Sequence, residues 1–65
     1  MIRTVIRFDN DMVAVFDRGG EQISRYQGKY EAVKDSILRD APPDAVFACD
    51  CGDCGKLRKV YRENW

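Results

Sequence analysis

The 65-residue chain contains no histidine, only three cysteines and no excess of charge of either sign. Without histidine, and with Ser24 and Ser36 lacking an evident base, the sequence does not support a hydrolytic triad. Eleven basic and eleven acidic side chains cancel, so no net field draws the protein to nucleic acid or to an anionic membrane. These absences exclude a hydrolytic triad and a charge-driven attraction to nucleic acid or membranes, and they favour a non-enzymatic role while leaving enzyme activity open.

Long apolar runs are also missing. No segment approaches the ~20 apolar residues that span a bilayer, and arginines at positions 3 and 7 interrupt the start of the chain, unlike a signal peptide. We therefore expect a cytoplasmic protein, in which clustered thiols more often bind metal than form structural disulfides. Residues 1–65 are expected to form one domain, near the lower size limit for folding without a metal, a disulfide or a partner chain.

The first third of the chain has the pattern of a β-hairpin. Residues 2–8 alternate, which predicts a strand with one buried face carrying Ile2, Thr4, Ile6 and Phe8. Asp9-Asn10-Asp11 predicts a turn into a second strand over 12–17, because Asn and Asp tolerate left-handed backbone. A second turn at 18–20 leads to a possible short third strand over 21–23.

The apolar period then becomes helical. Six residues form one stripe at helical spacing: Tyr26, Tyr30, Val33, Ile37, Leu38 and Ala41. The pattern predicts a helix over 28–40 that Pro42 and Pro43 end, and Ser24 with Gln27 has the spacing of a capping box that would start it earlier. A buried strand is predicted over 44–48. The tail over 56–65 favours a short helix, with a strand returning from a hairpin as the alternative.

These elements predict a single α+β domain: an antiparallel hairpin or three-stranded meander, a helix, a further strand, a cysteine-rich loop and a short C-terminal helix or strand. The chain as a whole resembles small bacterial proteins, a resemblance that implies no particular chemistry.

The three cysteines form a C-x-C-x-x-C cluster: Cys49, Cys51 and Cys54. Thiolates are soft ligands that suit zinc or iron. The segment 51–55 resembles the C-x-x-C-G knuckle of zinc ribbons and rubredoxin-like sites, which implies that its two thiolates chelate one metal, with Cys49 as a third ligand. A second knuckle is absent, so a fourth ligand would come from Asp50, Asp53, water or a second chain. The leading hypothesis is a non-enzymatic metal-binding or accessory module, completed by a homodimer or a protein partner, or left without metal.

Two other functions remain open. A protein-interaction module with incidental cysteines would expose an apolar patch. A dithiol redox protein would use Cys51 and Cys54, whose pKa would fall at the N-terminus of a tail helix. Four basic tail residues interleave with Tyr61 and Trp65, yet a solvated helix face is favoured over a nucleic-acid surface because the net charge is zero. The basic residues are Lys56, Arg58, Lys59 and Arg62.

Overall fold

The computed structural model describes residues 1–50 and 57–65. Within these ranges the elements are β1 (Ile2–Phe8), β2 (Met12–Asp17), β3 (Gly28–Lys29), α1 (Tyr30–Asp40), β4 (Val46–Asp50) and β5 (Leu57–Val60). A single 3-10 turn lies between β2 and β3 at Ser24–Tyr26, and another lies after β5 at Arg62–Asn64. The strands form one sheet in the order β3-β2-β1-β4-β5, in which β1 and β4 are parallel and the other neighbours antiparallel. The predicted α+β class is confirmed.

The turn between β1 and β2 forms where the Asp and Asn residues predict it. Asp11 has a φ of 67°, in the left-handed region that Asp tolerates better than branched residues. The Asn10 side chain accepts a hydrogen bond from the Met12 N–H at 3.1 Å, and the Asp11 N–H donates to the Phe8 carbonyl at 3.0 Å. These local bonds hold the hairpin in the register that pairs Arg7 with Val13.

The segment before α1 differs from the prediction. Residues 21–23 contribute only an isolated bridge from Gln22 to Phe16, and the third strand is Gly28–Lys29 beside β2. The helix begins at Tyr30, because Gly28 has a φ of 148° that a helix cannot accommodate. The Ser24 capping box is wrong, since Ser24 opens a 3-10 turn and not the helix.

The favoured C-terminal helix is also wrong, and its alternative is correct. Residues Leu57–Val60 form β5, which pairs antiparallel with β4 from Asp50–Leu57 to Phe47–Val60. Pairing with the edge of β4 gives the N–H and C=O groups of this segment hydrogen-bond partners. A helix of so few residues would be only marginally stable. The 3-10 turn after β5 then carries Trp65 into the core, where it is buried.

The hydrophobic core lies between α1 and one face of the sheet. The predicted stripe is confirmed for the four members that lie on α1: Ile37 is buried in the core, and Tyr30, Val33 and Leu38 pack against it. Tyr26 and Ala41 are also buried in the core but flank the helix, Tyr26 in the Ser24–Tyr26 turn. The sheet and the tail contribute Val5, Val13, Val15, Phe47 and Trp65.

β1 turns the opposite face to the core from the one that its alternation predicts. Val5 is fully buried, and an irregularity in pairing between Ile2 and Thr4 allows Ile2 to join it in the core. Arg7 lies on the same side as Val5, where its guanidinium stacks 3.6 Å from the centroid of the Tyr30 ring and binds Asp11 at 2.6 Å. An aromatic ring can stack on a guanidinium, so the presence of an arginine in this strand does not predict which face of the strand is exposed to solvent.

Candidate functional site

The sheet face opposite α1 is also apolar. Strand alternation places eight side chains there: Thr4, Ile6 and Phe8 from β1, Met12, Ala14 and Phe16 from β2, and Val46 and Ala48 from β4. We call these eight residues the open face. They lie outside the core cluster and are not among the side chains packed against it. Among the described residues, the helix and the turns pack on the other side of the sheet. There α1 buries Ile37, the first 3-10 turn buries Tyr26, and Trp65 is buried directly after the second turn.

Strand register arranges the open face in three rows across the sheet. The middle row is Ala14, Ile6 and Ala48, between a row of Met12 and Phe8 and a row of Phe16, Thr4 and Val46. Polar and exposed side chains border these rows in the same register: Lys29 beside Met12, Gln22 beside Phe16, Asp50 beside Phe8, and Leu57 and Lys59 on β5. The face therefore has an apolar centre and a mostly polar rim, the usual anatomy of a protein interface.

The centre of the open face has a definite relief. Ile6 lies between Ala14 and Ala48, which are only 7% and 4% exposed although they are outside the core cluster. Side-chain size therefore alternates along the middle row, with the large Ile6 between two small alanines. Such alternation suits interdigitation with a second layer of side chains.

Sequence reasoning missed the open face, although the signal for it is present. Residues 12–16 and 45–49 are apolar at every position, a pattern typical of strands covered on both faces. In the part of the chain that the structure describes, one 11-residue helix, α1, covers one face. Comparing the number of apolar strand faces with the number of covering elements would have predicted an uncovered face.

Cys49, the first of the three predicted metal ligands, lies near the end of β4 on the core side of the sheet. It is half-buried, packs against the core cluster and is a register neighbour of Arg7 on β1 and Arg58 on β5. Cys51 and Cys54 lie outside the described residues. Within the described ranges, no group of three His, Cys, Asp or Glu side chains could hold a metal ion. Metal binding stays a prediction from the sequence.

The dithiol hypothesis loses one of its supports. A helix after the cysteines would have stabilised a thiolate through the helix dipole, whereas Leu57–Val60 is a strand. Redox function stays a prediction from the sequence.

Two tail residues considered for nucleic-acid contact serve the fold. The Arg62 guanidinium donates to the carbonyls of Ala41 and Pro42 and lies 5.2 Å from the centroid of the Phe47 ring. Trp65 is buried, with its ring edge-on to Tyr30 and Phe47. An indole in this position has no free face on which a base could stack.

A polar cluster at the end of α1 also serves the fold. The Tyr26 hydroxyl donates to Asp40 and accepts from Arg25 at 2.8 Å. The bond from Tyr26, and after it the bond from Arg39, lowers the pKa of Asp40. The cluster ties the Ser24–Tyr26 turn to the helix and contains no unpaired reactive group.

The described part of the chain has no helix long and apolar enough to cross a membrane. Comparisons with protein-family models, curated proteins and solved structures find no match to this chain.

Proposed function

We propose that the protein is a non-catalytic interaction module that docks another protein chain on its open face. One observation carries the proposal: seven apolar side chains on three adjacent strands lie outside the core cluster, and the five largest of them are only partly buried. Contiguous apolar patches on small soluble domains mark interaction surfaces, because leaving them in water forfeits their burial energy.

The shape of the open face favours a protein over a small molecule. Small ligands are held in concave pockets that enclose most of their surface. The open face is instead one surface of a sheet, on which Ile6 lies between two alanines. A second sheet or an amphipathic helix can cover such a surface.

The docking role is tested with a photo-reactive benzoylphenylalanine in place of Phe8, a conservative exchange of one aromatic residue for another. We expect irradiation in cells to yield an adduct whose partner peptides are identified by mass spectrometry, since Phe8 lies at the interface. The same probe in place of Glu31, an exposed residue of α1, is the control. The proposal fails if position 8 gives no adduct, or only the adducts that position 31 gives.

Metal binding is a second candidate function. The pairing of Asp50 with Leu57 favours it, because this pair brings together the two ends of the segment that carries Cys51 and Cys54. Cys49 lies directly before Asp50 on β4. For this function we expect protein purified without chelator to contain zinc or iron, and EDTA to lower its melting temperature. The Cys49→Ser, Cys51→Ser, Cys54→Ser triple variant is the metal-free reference. Metal-free protein with an EDTA-independent melting temperature would contradict the metal hypothesis and leave the open face unaffected.

A further inference from the structure

We propose that the chain covering the open face is a second copy of this protein, packed sheet against sheet about a two-fold axis that runs along the strands between β1 and β2. This inference rests on the docking role of the open face and names its partner. Three features of the described residues carry it: the size of the face, its relief and the charges on its rim.

The size of the open face suits a weak symmetric dimer. Five strands of two to seven residues, at ordinary spacing, give a surface about 24 Å wide and about 16 Å long on average, or about 400 Å² per copy. Two such surfaces bury about 800 Å² together, below the usual range of stable interfaces, so we expect a weak, reversible dimer of high-micromolar affinity. A second sheet also supplies the additional core that a chain of 65 residues lacks.

The relief of the face is self-complementary about the proposed axis. Rotation about this axis places each β1 residue over the β2 residue with which it pairs in its own sheet. Ile6 then lies over the partner's Ala14, and Thr4 lies over the partner's Phe16, so in both pairs a large side chain meets a small one. Phe8 meets the partner's Met12, which adjusts its shape readily.

The charges on the rim favour an axis between β1 and β2 over an axis between β1 and β4. Lys29 lies one strand outside β2, and Asp50 one strand outside β1, in the same row. The proposed rotation therefore brings Lys29 over the partner's Asp50, two opposite charges at each end of the row. An axis between β1 and β4 would instead place Phe8 over the partner's Asp50 and leave Lys29 beyond the edge of the partner's sheet, without an opposite charge facing it.

The dimer is tested by sedimentation equilibrium of the purified chain from about 1 μM to about 1 mM, a range that spans weak association. We expect a reversible monomer–dimer equilibrium. Ile6→Glu should weaken it at least about 100-fold, because each copy would bury an unpaired charge. Ala32→Glu, which adds the same charge on the exposed side of α1, should leave it unchanged.

Rim variants test the axis without depending on how Ile6→Glu folds. Lys29→Glu should weaken the dimer about fivefold, and the Lys29→Glu, Asp50→Lys pair should restore it, because the swap re-forms the charge pairs. A wild-type chain that stays monomeric to about 1 mM, or a dimer indifferent to Ile6→Glu and to both rim variants, overturns the inference. If the photo-reactive probe at Phe8 then captures a different identified protein, the docking role stands and only its partner is wrong.

Discussion

Replacing Trp65 with alanine is expected to lower the free energy of unfolding by about 3–5 kcal/mol, the range for removing a large buried aromatic side chain. Trp65 is 5% exposed, and its ring centroid lies 5.0 Å from that of Tyr30 and 5.1 Å from that of Phe47. Its carbonyl accepts hydrogen bonds from the Tyr30 hydroxyl at 2.9 Å and from Arg7 at 3.4 Å. The residue therefore joins the tail to the helix and to β1 at once.

Trp65→Phe is the matched control for this loss. The Trp65 Nε1 atom is buried and has no hydrogen-bond partner among residues 1–50 and 57–65, and desolvating such a group costs about 1–3 kcal/mol. Phenylalanine removes this unpaired donor while keeping an aromatic ring, so we expect its destabilisation to be well below that of alanine. Urea unfolding followed by far-ultraviolet circular dichroism measures both variants, because each lacks the only tryptophan of the chain. Equal losses for phenylalanine and alanine would contradict the aromatic packing described for Trp65.

Aspartate is expected to destabilise the fold far more at position 5 than at position 6, although the two residues are neighbours. Val5 is 0% exposed in the core between sheet and helix. A carboxylate there has no partner, so we expect Val5→Asp to cost more than about 4 kcal/mol and to leave the chain largely unfolded. Ile6 points to the open face, so Ile6→Asp leaves its charge in water and costs about 1 kcal/mol, the span of strand propensities.

The comparison is made by urea unfolding at protein concentrations below the dimer range, where each variant reports on the isolated chain. Val5→Ala serves as a milder core control, since it removes volume without adding charge. Cooperative unfolding of Ile6→Asp with a midpoint near that of the wild type is the expected result. Loss of folding in both aspartate variants would show that Ile6 belongs to a buried face, contrary to the two-faced sheet described here.

Local sequence signals predicted the parts of the fold that are determined locally. The apolar period from Tyr26 to Ala41 predicted the core face of α1, since helical spacing alone decides which residues share that face. Asn10 and Asp11 predicted the β1–β2 turn, because their side chains and left-handed backbone act within four residues.

The remaining features depend on distant partners and could not be predicted from the same signals. Arg7 is accommodated on the core side of β1 in part by distant residues, the ring of Tyr30, 23 positions later, and the carbonyl of Trp65. Residues 57–60 are a strand because β4 offers them an edge to pair with. The open face required comparing the strands with the elements available to cover them, a property of the whole chain and not of any motif. The cysteine cluster predicts metal binding, whereas the apolar runs at residues 12–16 and 45–49 predict the surface on which our functional proposal rests.

We propose a sheet that its own helix covers on one face and that another protein chain covers on the other. Methyl relaxation by a soluble paramagnetic agent, measured on the wild-type chain at low and high protein concentration, tests this claim most directly. We predict that the Val5 methyls stay protected at both concentrations, whereas the Ile6 methyls relax strongly in dilute solution and become protected as the chain self-associates. Ile6 methyls as protected as those of Val5 in dilute solution, or equally accessible at every concentration, would contradict the account.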